Sequence, residues 1–302
     1  MASELITNTY GVTLPDRYEI RRLGTDVEKW TRAMGAYSSM FNSKLFEPLY
    51  RDKQPAKRVL EDYLKRPASY LPDLKSGLSY GIYDKKYRFK RPESYATGGA
   101  VYWDELDPND PELEGPSGRQ KLLDGMDFPL VSVAYSHDGS EPMSRETKAQ
   151  LGEFVPELLP LITQVGILMA SSSPDAIVPL SDQTKPPGEV LSRGGTHTRE
   201  GYTGQGLMKA LAHFLMHEAQ ARGYQKIQIG TSHEKVHQVW LHPPAPFRAT
   251  IDVEFDPREM EFPVVEGGRE KMEKLFAECP LEIFSNITVH LQDIKCGEEG
   301  ED

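Results

Sequence analysis

The sequence predicts a domain of the α/β class, in which helices pack on a central mixed sheet. The main observation is a succession between residues 189 and 247 of a strand, a glycine-rich loop, an amphipathic helix, a second strand and a short helix. A second observation is that strand-like and helix-like segments also alternate between residues 18 and 103. Both patterns predict layers of helix and sheet around one core.

The first half of the chain supplies elements that carry no motif. Its patterns predict strands at 18–23, 78–83, 100–103 and 128–135, and helices at 25–40 and 56–65. Residues 104–118 are rich in Pro, Asp, Glu and Gly, which is typical of an exposed loop. A helix is predicted at 147–164, interrupted by Pro156 and Pro160, and a further loop at 171–188.

The second half contains the clearest pattern. A strand at 189–198 is followed by glycines at 201, 204 and 206 and then by a helix whose apolar residues form one stripe. Glycines let the backbone approach an anion, and the first N–H groups of the helix point at it. The sequence therefore predicts a phosphate-binding loop at this position.

The segments that follow this loop in the sequence continue the alternation of helices and strands. Gly223 is suited to end the amphipathic helix in a left-handed conformation. Strands are then predicted at 224–231, 249–255 and 281–293, a short helix at 233–241 and a further helix at 269–278. The acidic tail at 297–302 is expected to be disordered.

Composition excludes several classes of protein. The chain has 302 residues and a net charge of −11, which argues against a general nucleic-acid partner. No apolar run approaches the roughly 20 residues that a membrane span needs, so no membrane partner is expected. Two cysteines, Cys279 and Cys296, are too few for a disulfide scaffold. With no export signal visible, the expected location is the cytoplasm.

The loop and its flanks resemble the GCN5-related N-acetyltransferase (GNAT) superfamily. The signature of that family, Q/R-x-x-G-x-G/A, resembles residues 198–208, where Tyr202, Gly204 and Gly206 match. Thr203 stands where arginine or glutamine is usual, and Met208 where a small residue is usual. Residues 221–224 and 236–247 are similar to the next two segments of the family, in a style that resembles a fungal branch.

This resemblance implies an acyl-CoA N-acyltransferase fold with a central mixed, splayed sheet. The chain is then a single domain, 1–302, with a long insertion at 104–188. Acetyl-CoA is implied as the cosubstrate and an amine as the acceptor, with direct transfer of the acetyl group and no metal. The implied cofactor residues are the strand residues Thr196, His197 and Thr198 and the loop residues Thr203, Gly204, Gln205, Gly206, Leu207 and Met208.

The sequence does not single out the residues that act as acid and base in such a transfer. Trp240 stands where the family often places an acidic tyrosine, and an indole N–H cannot act as an acid at neutral pH. Imidazoles titrate near neutrality, so His233, His237 and His197 are the candidate catalytic residues. For each of them, a solvated or structurally hydrogen-bonded histidine is the alternative.

Two other functions are open at this point. The departures at 203 and 208 allow a non-catalytic acyl-CoA-binding sensor of the same fold. Residues 233–237 also fit H-E-x-x-H, the motif of a zinc hydrolase, with His242 or Glu254 as a third ligand. His213 and His217 are expected on a solvated helix face. The sequence does not indicate the amine or the oligomeric state, although clustered carboxylates favour a cationic amine: Asp104, Glu105, Asp252, Glu254, Asp256 and Glu259.

Overall fold

Alternating strands and helices run through the computed structural model. It describes residues 1–44, 54–65, 71–141, 148–149, 159–172, 184–266, 269–274, 276–280 and 283–292. The strands are β1 (Glu4–Leu5), β2 (Tyr18–Arg22), β3 (Tyr80–Asp84), β4 (Ala100–Val101), β5 (Met126–Asp127), β6 (Leu130–Asp138), β7 (Val190–Thr198), β8 (Lys226–Thr231), β9 (Arg248–Phe255), β10 (Phe262–Glu266), β11 (Arg269–Glu273) and β12 (Phe284–His290).

The helices lie between these strands. They are α1 (Glu28–Phe41), α2 (Pro55–Lys65), α3 (Leu71–Lys75), α4 (Pro92–Thr97), α5 (Ser117–Gly125), α6 (Leu159–Ser172), α7 (Leu207–Ala221) and α8 (Glu234–Leu241). Short 3-10 turns occupy Thr25–Val27, Trp103–Glu105 and Pro111–Leu113. Among the helices that the structure describes, none combines the length and the hydropathy that crossing a bilayer requires.

Eight of the described strands form one mixed sheet in the order β1-β2-β3-β6-β7-β8-β12-β9. Neighbours are antiparallel except β7 and β8, which run parallel. That parallel pair is joined only from Val190 to Ser192, opposite Lys226 to Gln228. Beyond it, β7 continues beside β6 alone and β8 continues beside β12 alone. The sheet is therefore splayed between β7 and β8, which confirms the predicted fold class.

The two faces of the sheet are covered by different helices. On β6, Val133 and Tyr135 pack into the core beneath α1 and α2, whereas Ala134 packs against Leu211 and Phe214 of α7. Successive side chains of β6 therefore point to opposite faces of the sheet, as expected for a strand that is buried on both faces. Helix α7 has its apolar stripe on the sheet as predicted, and its fully buried Phe214 anchors it there.

Several predicted elements need correction. The helix predicted at 269–278 is wrong, because residues 269–273 form β11, which pairs with β10 in a hairpin. Helix formers are overridden there by the hydrogen bonds of a neighbouring strand. The strand predicted at 100–103 is shortened to β4, which pairs with β5 outside the main sheet. Trp103 begins a 3-10 turn instead.

The segment 104–188 also differs from a simple insertion, because it contributes β6 to the middle of the main sheet. Helix α6 extends past the predicted end at 164 into the stretch predicted as a loop. The first part of that predicted helix, and the tail at 297–302, lie outside the described residues.

Candidate functional site

A cavity of about 680 Å³ opens where β7 and β8 separate. Its walls come from four stretches: residues 193–198 of β7, the glycine loop with the start of α7, residues 229–239 from the end of β8 into α8, and the last turn of α1. The cavity is therefore a consequence of the splayed strands, since side chains from two separated edges face one space.

The glycine loop forms the end of the cavity at which α7 begins. Gly201, Gly204 and Gly206 have φ values of +86°, +78° and +76°, a region that other residues rarely adopt. Gly206 caps α7 without a side-chain hydrogen bond, and the first helical bond runs from the Ala210 N–H to the Gly206 carbonyl at 3.0 Å. The N–H groups of the first turn therefore have no acceptor within the helix and favour an anion at this end of the cavity.

Side chains at the end of β3 and just before β2 hold this loop in place. Tyr202 donates a hydrogen bond to Asp84 at 3.0 Å, and Arg17 donates two more to the same carboxylate at 2.8 and 2.5 Å. Burial alone raises the pKa of Asp84, but the bonds from Arg17, the Lys86 N–H and Tyr202 lower it overall. The carboxylate thus stays ionised and ties the loop to the sheet.

The residues predicted to bind the cofactor are brought together, with one exception. Lining residues among them are Thr196, His197, Thr198, Thr203, Gly204, Gly206, Leu207 and Met208. The Gln205 side chain instead accepts a hydrogen bond from the Tyr18 hydroxyl at 2.5 Å and does not line the cavity. The cofactor role of these residues stays a prediction.

Arg193 is a cavity residue that sequence reasoning missed. Its buried guanidinium donates to the carbonyl oxygens of Tyr135 and Gly195, to Ser136 Oγ at 2.6 Å and to Thr196 Oγ1 at 2.8 Å. Burial lowers its pKa to about 9, which still leaves it charged at neutral pH. An arginine directly before two glycines was the sequence signal for it.

These contacts surround a β-bulge. Tyr135 pairs with Gly195 and Ser136 with Arg193, so Gly194 is the extra residue of β7. A bulge bends its strand and increases its twist. The Arg193 guanidinium spans the bulge, so it stabilises the bend from which the cavity-lining part of β7 departs.

His197 and His233 both line the cavity. Burial lowers the pKa of His197 to about 4, with the Arg193 charge adding to the shift, so its imidazole is neutral at pH 7. His233 caps α8, where its Nδ1 accepts the Lys235 N–H at 3.1 Å. Burial, together with the charges of Lys44 and Lys235, lowers the pKa of His233.

His237, the third candidate, does not line the cavity. It is 6% exposed, and its Nδ1 lies 2.7 Å from Ser285 Oγ. Its Nε2 lies 3.9 Å from Glu254 Oε2. His233 and His237 therefore serve different partners, and in the described part of the chain no three metal-ligating side chains are grouped to hold an ion. These contacts do not favour the zinc-hydrolase alternative.

Trp240 lies in the core and not in the cavity wall. It is fully buried, and the Arg193 guanidinium carbon lies 5.7 Å from the centre of its ring. Its indole ring is therefore used for packing.

The solvated face predicted for His213 and His217 is wrong. The ring of His217 packs on Phe247, with centroids 4.8 Å apart, and stacks on Tyr10 at 5.8 Å. Burial lowers the pKa of both histidines. The N-terminal segment that carries Tyr10 covers this face, which a helical periodicity cannot show.

The predicted acidic cluster lies away from the cavity. In the described part of the wall no carboxylate is present, and the charged lining residues are Arg193, Lys209 and Lys235. Helix α1 contributes a neutral polar surface of Ser38, Ser39, Asn42 and Ser43. This distribution of charge fits an anionic ligand near the start of α7 better than a cationic one.

Solved structures resemble the chain over most of its length, among them the two described next, although no protein-family model and no curated protein sequence matches it. The C-terminal condensation domain of Ebony, in complex with beta-alanyl-dopamine, is 12% identical with a TM-score of 0.54, covering 90% of this chain and 98% of that one. Arylalkylamine N-acetyltransferase 2 from Aedes aegypti is 12% identical with a TM-score of 0.54, covering 92% and 100%. The fungal branch stays a prediction. The chain has the fold of the GCN5-related N-acetyltransferases, as its glycine signature indicated.

Proposed function

We propose that this protein is an acetyl-CoA-dependent N-acetyltransferase that passes the acetyl group directly to an amine. The observation that supports this most is the coincidence of three features in one cavity: the glycine loop, the start of α7 and the gap between β7 and β8. A nucleotide with an extended thioester arm needs an anion site next to a long slot, and both are present.

The anion site suits a pyrophosphate. The backbone N–H groups of the loop and of the first turn of α7 offer donors, and the helix dipole favours negative charge there. Lys209 adds a positive charge at the same end of the wall. Thr203 supplies a hydroxyl donor where an arginine is usual, so in this proposal the backbone carries most of the contact.

The slot suits the pantetheine arm. Past Ser192, β7 pairs with β6 on one side and with no described strand on the other. An extended arm with amide groups can pair with such an edge in the manner of an added strand. Thr196, His197 and Thr198 lie along this edge and are the residues proposed to contact the arm.

The transfer itself needs a neutral amine and a proton for the departing thiolate. His233 and His197 lie in the cavity and are the imidazoles proposed to act there, with His233 the better base because the pKa of His197 is only about 4. Trp240 is buried, and it stands where the GNAT family often has an acidic tyrosine. Because tryptophan cannot act as that acid, a non-catalytic acyl-CoA-binding sensor is the second candidate.

Thermal shift with acetyl-CoA tests the binding half of this proposal. A ligand at 100 times its dissociation constant stabilises the folded state by about 2.7 kcal/mol, and free adenosine, which lacks the pyrophosphate and the arm, serves as the control. No shift with saturating acetyl-CoA contradicts the proposal. Release of free CoA thiol with a panel of amines then separates the two candidates, since a sensor binds acetyl-CoA without turnover.

A further inference from the structure

A row of hydrogen-bonding side chains leads from the cavity to the protein surface. Thr231 lines the cavity, and its Oγ1 lies 2.7 Å from Ser285 Oγ. Ser285 Oγ lies 2.7 Å from Nδ1 of His237, and the opposite ring nitrogen lies 3.9 Å from Glu254 Oε2. Thr231 and Ser285 are 2% and 0% exposed, whereas the Glu254 side chain is 42% exposed. The row therefore connects two compartments through a buried segment.

The sheet register explains why these residues meet. Ser285 on β12 is paired with Thr231 on β8 and also with Glu254 on β9. Directly paired residues of neighbouring strands project from the same face, so the three side chains form a line across the sheet. Helix α8 packs over β8, β9 and β12 and places His237 on that line.

The partners give the row a direction. Nε2 of His237 lies 3.9 Å from the Glu254 carboxylate, which is beyond hydrogen-bonding distance but close enough for the negative charge to favour a proton on that nitrogen, and the tautomer is assigned on this basis. Nδ1 of His237 then accepts from the Ser285 hydroxyl, and Ser285 accepts from the Thr231 hydroxyl. In this arrangement the Thr231 oxygen can still accept a hydrogen bond, and Thr231 lines the cavity. The row is thus oriented to take up a proton from the cavity.

We propose that Thr231, Ser285 and His237 relay the proton of the acceptor amine from the cavity to Glu254 at the surface. This proposal rests on the proposed acetyl transfer. The amine nitrogen gives a proton to Thr231 Oγ1 while the Thr231 hydroxyl proton passes to Ser285 and the Ser285 proton to His237 Nδ1. The imidazolium that forms releases its Nε2 proton towards Glu254 and solvent. One proton enters, one leaves, and no electrons are exchanged.

The chemistry of the cavity wall gives this relay a purpose. An amine that reaches the cavity as an ammonium ion has to lose a proton before it can attack a thioester. The described wall holds no carboxylate and its charged groups are cationic, so the neutral groups there that can take that proton are the imidazoles of His197 and His233 and the hydroxyl of Thr231. The neutral Thr231 hydroxyl, connected through Ser285 to the buried imidazole of His237, removes the proton without placing a negative charge beside the anionic cofactor.

Several charged and titratable groups lie on the elements packed around His237. Among the described residues, the Glu254 carboxylate is the charged group within ion-pair distance of the ring. Asp252 on the same strand is hydrogen-bonded to Thr288, and His290 of β12 lies 3.0 Å from the Thr250 hydroxyl. The other titratable groups of the packed elements are Glu234 and Lys235 of α8 and its N-cap His233, Lys209, His213, His217 and Glu218 of α7, Lys226 of β8, and Arg248 of β9.

The test compares pH profiles of kcat for the wild type, Ser285→Ala and His237→Asn. Asparagine keeps an acceptor for the Ser285 hydroxyl but cannot carry the proton, so a merely structural role of His237 predicts little change. The relay predicts a kcat about 100-fold lower near pH 7 in both variants, within the usual range for acid–base groups. It also predicts that the pH profiles of kcat in both variants differ in shape from that of the wild type.

Ser132→Ala is the matched control. Ser132 is also fully buried and lies 3.0 Å from the hydroxyl of Thr198, which lines the cavity, but it leads to no imidazole. Its kcat profile should follow the wild type. The acetyl-CoA thermal shift, retained in each variant, shows that the cavity is intact.

Glu254→Gln keeps the test decisive if a buried variant fails to fold, because Glu254 is partly exposed. Removing its charge removes the final proton acceptor of the row and should lower kcat near pH 7. The relay is overturned if Ser285→Ala and His237→Asn have the same pH profile of kcat as the wild type. If those two variants do not fold, an unchanged profile in Glu254→Gln overturns it instead. Wild-type turnover is measured first, so that absent transfer contradicts the proposed function and normal turnover by the variants contradicts only the relay.

Discussion

Gly206→Glu is the sharpest test of the proposed phosphate loop. An added Cβ at Gly206 meets no atom within 4 Å, so there is open space where the new side chain begins. The cost comes from φ = +76°, at which an L-residue is strained by about 1–2 kcal/mol. A carboxylate at a helix start is favoured by about 0.3–1 kcal/mol, so Gly206→Glu should be slightly more stable than Gly206→Ala.

The effect on binding should be much larger than the effect on folding. A carboxylate about 4 Å from one phosphate charge repels it by about 1 kcal/mol in water and about 4 kcal/mol at an effective dielectric constant near 20. At about 1.4 kcal/mol for each tenfold change, the Kd for acetyl-CoA should rise roughly 5- to 700-fold. Isothermal titration calorimetry measures this, and Gly206→Ala should lose far less affinity.

Gly223→Glu is the matched control at the other end of the same helix. Gly223 has φ = +90°, is exposed and also has open space around an added Cβ. The variant therefore carries the same charge and similar strain, and it should bind acetyl-CoA as the wild type does. If Gly206→Glu binds as tightly as Gly223→Glu, the anion does not sit at the start of α7 and the proposed site is misplaced.

Three further predictions follow from the same site. Tyr202→Phe removes one bond to Asp84 and should lower the free energy of unfolding by about 0.5–1.5 kcal/mol, as chemical denaturation can measure, together with a weaker affinity for acetyl-CoA. His197 has a folded pKa of about 4 against an ordinary value of 6.5, so its contribution to stability is present above pH 6.5 and is lost as pH falls towards 4; His197→Phe should flatten the dependence of Tm on pH in that window. Arg193→Met leaves the Tyr135 and Gly195 carbonyl oxygens without their donor and should cost at least about 2 kcal/mol in urea unfolding, whereas an unchanged midpoint contradicts its role at the bulge.

Much of the local structure of this protein could be predicted from its sequence. The strand, glycine loop and helix at 190–221 were predicted within a residue or two, since positive φ at glycine and an apolar stripe are local properties. The loop residues proposed for the cofactor followed from the same pattern. Residues 269–273 were predicted as part of a helix from their helix propensity. They form a strand instead, because they pair with β10.

Only the tertiary structure decided which side chains share a space. The splay between β7 and β8 arises from strand pairing, so the cavity it opens has no counterpart in any single segment. Arg193 is buried by a bulge, and His217 by Tyr10 from the far end of the chain. His237 was a candidate by residue type, but Ser285, 48 positions away, is what connects it to the cavity. The local sequence thus predicted the proposed phosphate-binding loop, whereas contacts between distant residues form the proposed route for the proton.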